Sequence, residues 1–448
     1  MTNTESKSEI YQFPEIAEAP RYTCSLGGAY ITTTAIYDAV PILHAGAGCG
    51  IAQLLGVFYA AGENAAGSQG GTSTPCSCLI EKHVIFGGEE KLRKLIQSSI
   101  ELMVGELYVV ISGCVPAMIG DDVESVVKEF KGKGNPDVIY VNTSGFKGNT
   151  YDGYEELLGA ITDQLLVPQP KIKKRVNILG VVPFQHIFWK GDLNIVKDLL
   201  AKIGVEANIL FTQFDGVKKI KEIPSAELNI VLSTWNGHPT AKKLKEKFDQ
   251  DYISFPGVPT GPKQTSEFLR TVAKKLHIPK EKVEKVIAEE ERRAYRWVEY
   301  ITDAVIIGLP HPYSAFVGDT NTVISVVKFL ANEVGYLPEI VQITDNPPEE
   351  AREWIRKELT DNVESILKPE IIFEKDTFKI RENLRNRSFQ VLFATSLEKW
   401  PAAKEFSVAH LSIAFPMYDR VIVERTYAGY RGGTALLEDI TAKYIGPL

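Results

Sequence analysis

Short β-branched apolar runs recur along this chain, each followed by a stretch of helical pattern. They are Val40 to Leu43, Leu107 to Ser112 (LYVVIS), Val138 to Asn142 (VIYVN), the run from Val176 (VNILGVV), Ala207 to Phe211, Asn229 to Leu232, Ala304 to Gly308 (AVIIG), Glu339 to Thr344 (EIVQIT), Glu370 to Phe373 and Gln390 to Phe393. Strands alternating with helices of about 10–15 residues admit little besides parallel sheets built from βαβ units. The chain has 448 residues, too many for one core. The fold expected is therefore α/β, with three Rossmann-like, doubly wound parallel-sheet domains: 1–170, 171–263, and 264–448 with a C-terminal helix.

Around these runs, helices are expected at Glu89 to Ile100, in the crossover Val115 to Lys131, at Asp192 to Lys202, at Lys280 to Thr302, at Thr320 to Val334 and at Thr434 to Ile445. Gly204 and Gly335 are helix-stop signals. Tyr22 to Ala39 contains an amphipathic stretch, and residues 1–21 read as an arm. Ala61 to Ser77 reads as a loop, Lys171 to Arg175 (KIKKR) as a solvated linker, and Phe255 to Lys263 as the link closing the second unit.

Parallel sheets place ligands at the carboxyl ends of their strands. Cys49, Cys114 and Ser144 all fall at such ends in the first unit, so the three can converge on one crevice. Cys49 closes a glycine-rich bend, His44 to Gly50, at a helix start, where the dipole lowers a thiol's pKa. Several chemistries meet this pattern. Gly46-x-Gly48-x-Gly50 partly mimics a dinucleotide fingerprint, but its third glycine comes one position early and no acid follows a next strand. No GxxxxGK[ST] occurs. A Cys49 nucleophile with His44 as base leaves Cys24 and Cys114 unexplained. An iron–sulfur cluster uses all three thiolates, each on its own loop, with a second subunit completing the ligand set. Buried structural thiols are the bland reading. Cys76 and Cys78 form a CxC pair, either extra ligands or loop thiols. The seven histidines include no HxxxH or HxH pair.

The 50 basic and 57 acidic residues give a net charge of −7, which argues against nucleic acid as the main partner. No stretch reaches the roughly 18 apolar residues of a membrane span. The opening MTNTESKSEIYQF carries no signal or transit pattern, so a cytoplasmic protein is expected. The five cysteines, none after Cys114, make a poor disulfide framework.

An ordered set of motifs resembles the β subunit of nitrogenase component 1. Cys24-Ser25-Leu26-Gly27-Gly28-Ala29 is similar to that family's CQPxGA, and His44-Ala45-Gly46-Ala47-Gly48-Cys49 to its HGxxGC. Val84-Ile85-Phe86-Gly87-Gly88 is similar to VFGG, and Ser112-Gly113-Cys114 with Ile119-Gly120-Asp121-Asp122 to TTC…IGDD. Thr143-Ser144-Gly145-Phe146 is similar to TPSF, and Ser396-Leu397-Glu398-Lys399 to SLEK. Phe415-Pro416-Met417-Tyr418-Asp419-Arg420 and Gly429-Tyr430-Arg431-Gly432 are similar to FPxxDR and GYxG.

The resemblance implies that Cys24, Cys49 and Cys114 ligate a P-cluster, an [8Fe-7S] cluster shared with an α-type subunit in an α2β2 complex, and that Ser144 ligates its oxidised form. A simpler [4Fe-4S] cluster is the alternative. It implies that an ATP-hydrolysing iron protein docks near Phe86 and that electrons pass to an active-site cofactor in the α partner. Asp121 and Asp122 are expected to cap the following helix. With no cysteine after Cys114, this chain should not hold the active-site cofactor. The short arm before Cys24 points to vanadium-type, iron-only or nitrogenase-like groups. Ala52 stands where relatives often carry an aromatic. The substrate implied is dinitrogen or another hard-to-reduce molecule, such as an alkyl thioether in methylthio-alkane reductases. The rival reading is a cofactor-assembly scaffold subunit with a [4Fe-4S] cluster. Dark-operative chlorophyll reductase relatives, with an aspartate ligand, fit less well.

Overall fold

The computed structural model describes residues 17–49, 60–61, 74–132, 134, 136–211, 214–308 and 313–445. Among these, twelve strands form three sheets in which every pairing is parallel. The first sheet has the order β1-β2-β3: Ala39–His44, Leu107–Ser112 and Asp137–Asn142. The second has the order β5-β4-β6-β7, with β4 Ile172–Leu179, β5 Glu206–Asn208, β6 Ala226–Leu232 and β7 Asp251–Phe255. The third runs β10-β9-β8-β11-β12, with β8 Tyr313–Gly318, β9 Leu337–Ile343, β10 Glu370–Phe373, β11 Val391–Ala394 and β12 Ala409–Ser412.

The first sheet is covered on both faces, which is why β1 and β2 read as continuous apolar runs with all six residues buried. Val40, Ile42, Tyr108, Val110 and Val138 meet Leu92, Ile96, Val126 and Val127 on one side. Leu43, Val109, Ile111 and Val141 join the main core on the other, with Tyr30, Ile31, Tyr154 and Leu157.

The helix Ser25–Thr34 belongs to that second layer, and it is not amphipathic as expected: all ten residues are buried. Its threonines are satisfied internally, Thr32 and Thr33 donating to the carbonyls of Gly28 and Ala29 at 2.7 and 2.8 Å. It packs backbone to backbone on the helix Thr150–Gln164. A Cβ on Gly28 would lie 1.9 Å from the Thr150 carbonyl oxygen, and one on Gly153 would lie 2.0 Å from that of Ser25. Gly153 weakens the second helix in a propensity-based reading.

Two sequence expectations are overturned here. Ala304 to Gly308 is not a strand but the end of the helix Lys280–Gly308. Its β-branched residues continue a helix already nucleated upstream, and the strand comes later, at Tyr313–Gly318. The basic cluster is not a linker either. All but Lys171 lie in β4, whose first three residues are exposed and whose register with β6 shifts between Ile172 and Val176. The lysines thus decorate a solvated strand end. Phe255 belongs to β7, and the link closes into the helix Gly261–Lys275. The crossover from 115 to 131 splits into helices Cys114–Ile119 and Val123–Lys128.

Candidate metal centre

Register brings the cysteine loops together. His44 pairs with Ser112 and Ser112 with Asn142, so β1, β2 and β3 end level. The segments that follow, Ala45 to Cys49, Gly113-Cys114 and Thr143-Ser144-Gly145, leave the sheet side by side. Cys24 reaches the same edge from another direction. It precedes the buried helix Ser25–Thr34, bridges Asn149, and is flanked by Ser25 N–H donating to the Gly148 carbonyl at 3.0 Å.

Gly145 lies between two of the thiols. Its N–H donates to Cys114 Sγ at 3.1 Å. A Cβ there would lie 3.2 Å from Cys114 Sγ and 3.5 Å from Cys24 Sγ, so only glycine leaves this space open. Cys49 is half-buried, and its thiol pKa is pushed up by burial and then by the neighbouring Cys24 and Cys114 thiols. That reverses the lowered pKa expected from the helix start: desolvation outweighs the dipole. Those neighbours disfavour a Cys49 thiolate by itself, and a cationic iron–sulfur core would relieve that. The donor set therefore fits such a group. Among the described residues no three His, Cys, Asp or Glu side chains close round a single ion. No disulfide joins any of the five cysteines.

Ser144 is fully buried, and its hydroxyl donates to Asn142 Oδ1 at 3.2 Å. His44 is not a base for Cys49. Its Nε2 lies 3.0 Å from Asp121 Oδ2 and its Nδ1 lies 3.1 Å from Ser77 Oγ, while burial lowers its pKa. Asp121 also accepts from Gly88 N–H at 2.9 Å, so it ties loops together and does not cap a helix. Asp122 does cap, accepting from Ser125 N–H at 3.0 Å. The helix start expected after Cys49, with Ala52, lies outside the described residues, as does most of the loop expected from Ala61 to Ser77.

Sequence reasoning left the CxC segment undecided. Leu43 N–H donates to the Pro75 carbonyl at 2.8 Å, Ser77 N–H to the Leu43 carbonyl at 2.9 Å, and Leu79 N–H to the Ala45 carbonyl at 3.0 Å. Cys76 is half-buried and its pKa is pushed up to about 11, chiefly by burial; Cys78 is exposed. Beside this edge the helix Glu81–Phe86 buries none of its residues, and Ile85, Phe86, Met118 and Phe146 are all exposed.

A fold of parallel sheets with thiols gathered at one sheet's carboxyl edge is a scaffold whose donor set suits an iron–sulfur group. The chain belongs to the nitrogenase component 1 type oxidoreductase family, whose model matches residues 24–444. It is 25% identical to a nitrogenase vanadium-iron protein beta chain of Trichormus variabilis, over 92% of this chain and 90% of that one. It is 28% identical to the iron-molybdenum cofactor biosynthesis protein NifE of Methanosarcina barkeri, over 52% of this chain and only 50% of that protein's length. The solved structure of nitrogenase Cp1 at pH 6.5 shares the fold, with a TM-score of 0.79 at 19% identity over 98% of this chain and 95% of that one. Among the described residues no helix is long and apolar enough to cross a membrane.

Proposed function

We propose that this chain is the β-type subunit of a nitrogenase or nitrogenase-like reductase complex, with Cys24, Cys49 and Cys114 holding a P-cluster-type iron–sulfur cluster shared with an α-type subunit. The observation that carries the reading is the meeting of Cys24 and Cys114 across the space Gly145 leaves open, with Cys49 beside them. The cluster supplies electron storage and relay towards the partner's cofactor.

This chain's own residues do the rest. Gly145 N–H places a donor on the Cys114 sulfur and so orients it toward the shared space. His44, Ser77 and Asp121 lock the loop that carries Cys49 to the loop beyond Cys114. The buried core behind Ser25–Thr34 keeps water from one side of the thiols. Ser144 is the oxygen donor of the set. The exposed apolar side chains at Ile85, Phe86 and Met118 supply a surface for a docking iron protein. Three domains, 1–170, 171–263 and 264–448, follow the three sheets.

A second reading, a cofactor-assembly scaffold with a [4Fe-4S] cluster, draws support from the similarity to NifE. Iron per αβ pair, measured with EPR on the complex purified anaerobically with its α-type partner, separates the two. About eight irons in a cluster that Cys114→Ala destroys or alters supports the first reading, and about four in a simple cubane supports the second. No iron at all overturns both.

A further inference from the structure

One cavity of about 670 Å³ draws its lining from segments that follow strands of all three sheets, and no cysteine lines it. The helix Thr150–Gln164 follows β3, the helix His238–Phe248 follows β6 and the helix Glu349–Thr360 follows β9; the first turns of all three face this space. The carboxyl ends of parallel strands are where such folds take ligands, and the volume suits a small organic molecule.

The charges narrow the choice. The lining disfavours an anion, because the chain's own carboxylates already serve the helix starts. Asp152 Oδ2 accepts from Asn149 N–H at 2.7 Å, and Glu155 accepts from the N–H groups of Gly237 and Thr240. Four carboxylates, those of Asp152, Glu155, Glu156 and Glu350, stand against two lysines, of which Lys147 donates to the Asn142 carbonyl at 3.1 Å. Asp152, Glu155 and Glu156 share one helix face, and burial together with Asp152 raises the pKa of both glutamates. Burial lowers that of His238, so its ring adds no charge. A bound cation relieves the crowding of carboxylates.

Two observations are independent of charge. The Thr234 side chain lines the cavity and is 5% exposed, yet its hydroxyl has no hydrogen-bond partner among the described residues. Such a group is destabilising unless a ligand meets it, and a hydroxyl oxygen accepts from an ammonium. Trp235 and Trp354, two of the chain's five tryptophans, also line the cavity. Their indole N–H groups donate to Asp345 at 3.1 Å and Glu358 at 3.2 Å, neither of which lines it, so both rings are anchored from outside. Anchored indoles beside carboxylates recognise ammonium groups.

We propose that this cavity binds an aliphatic di- or polyamine, its ammonium groups meeting Glu156, the Thr234 hydroxyl and the two indoles. Carboxylates on separate helices, Glu156 on one and Glu350 on another, suit a flexible chain with a charge at each end. No cysteine takes part, so the site stands whether or not the chain carries iron.

The test is calorimetric titration of spermidine, and separately of putrescine, into the complex purified with its partner at physiological salt, with tryptophan emission as a second readout. Saturable binding at one site per chain is expected, with a change in emission. Glu156→Gln weakens it at least about tenfold and Trp354→Leu at least about threefold. Lys242→Ala removes an exposed cation from the same lining and tightens binding at least about twofold, which misfolding cannot imitate. Unsaturable binding, or equal affinity in all three variants, marks attraction to an acidic surface and overturns the site. Displacement of spermidine by an equal concentration of magnesium chloride overturns the organic ligand in favour of a metal. Absence of binding by both amines overturns it outright.

Discussion

The imidazole Nε2 of His44 lies 3.0 Å from the Asp121 carboxylate, across 77 residues of sequence and with both side chains buried. A carboxylate only accepts, so Nε2 carries the proton and Nδ1 accepts from the Ser77 hydroxyl. Three sequence motifs, those of His44, Gly88 and Asp121, thus meet at one carboxylate.

Asp121→Ala leaves His44 Nε2 and the Gly88 N–H without their acceptor. The expected cost is about 2–4 kcal/mol. It is read as a lowered thermal midpoint together with loss of iron from the purified complex. An Asp121→Ala complex with wild-type midpoint and iron would show that the network does not hold the cysteine loops.

Gly145→Ala tests the space between the thiols. Gly145 does not need a left-handed backbone, so alanine is tolerated by the main chain, and its methyl group meets Cys114 and Cys24. The expected result is a folded subunit with circular dichroism like wild type and at least about a twofold loss of bound iron. Full iron with an unchanged EPR spectrum would remove Gly145 from the site.

Glu398→Ala addresses the anchoring of the chain ahead of Cys24. Arg21 is 1% exposed; its guanidinium pairs with Glu398 at 2.5 Å and donates to Thr395 Oγ1 at 2.7 Å. Removing the carboxylate strands a buried cation, at a cost of about 3–5 kcal/mol. Urea unfolding of the variant against wild type measures it, and a loss below about 1 kcal/mol would contradict the assignment.

Asp345 governs a pH dependence. Burial, and then the nearby Asp319, raise its pKa to about 7, while Thr320 Oγ1 and Trp235 Nε1 hold it at 2.8 and 3.1 Å. Its unfolded value is about 3.9. Between these the folded chain binds a proton that the unfolded chain does not, so this residue's contribution to stability falls as pH rises from about 4 to about 7. Asp345→Asn is expected to gain on the order of 2 kcal/mol relative to wild type at pH 8 and nothing at pH 4. Thermal midpoints across that range check the sign.

Most strands, though not β7, β8 or β12, were legible because a sheet buried on both faces leaves unbroken apolar runs such as 107–112, and the cysteine edge because level strand ends follow from such runs. What stayed hidden depended on distant partners. Glu398 stood in a recognised motif, but its partner Arg21 lies 377 residues away. Gly153 lowers helix propensity locally, and its purpose appears only where it meets Ser25. Ala304 to Gly308 misled because β-branched composition at the end of a long helix looks the same as a strand. Asp121 sat beside a true capping residue, and no local pattern separates the two roles.

The contact of Gly28 and Gly153 with opposing carbonyls fastens the helix behind Cys24 by protein alone. A side chain larger than hydrogen at either glycine would drive the two helices apart and carry Cys24 out of line with the strand ends.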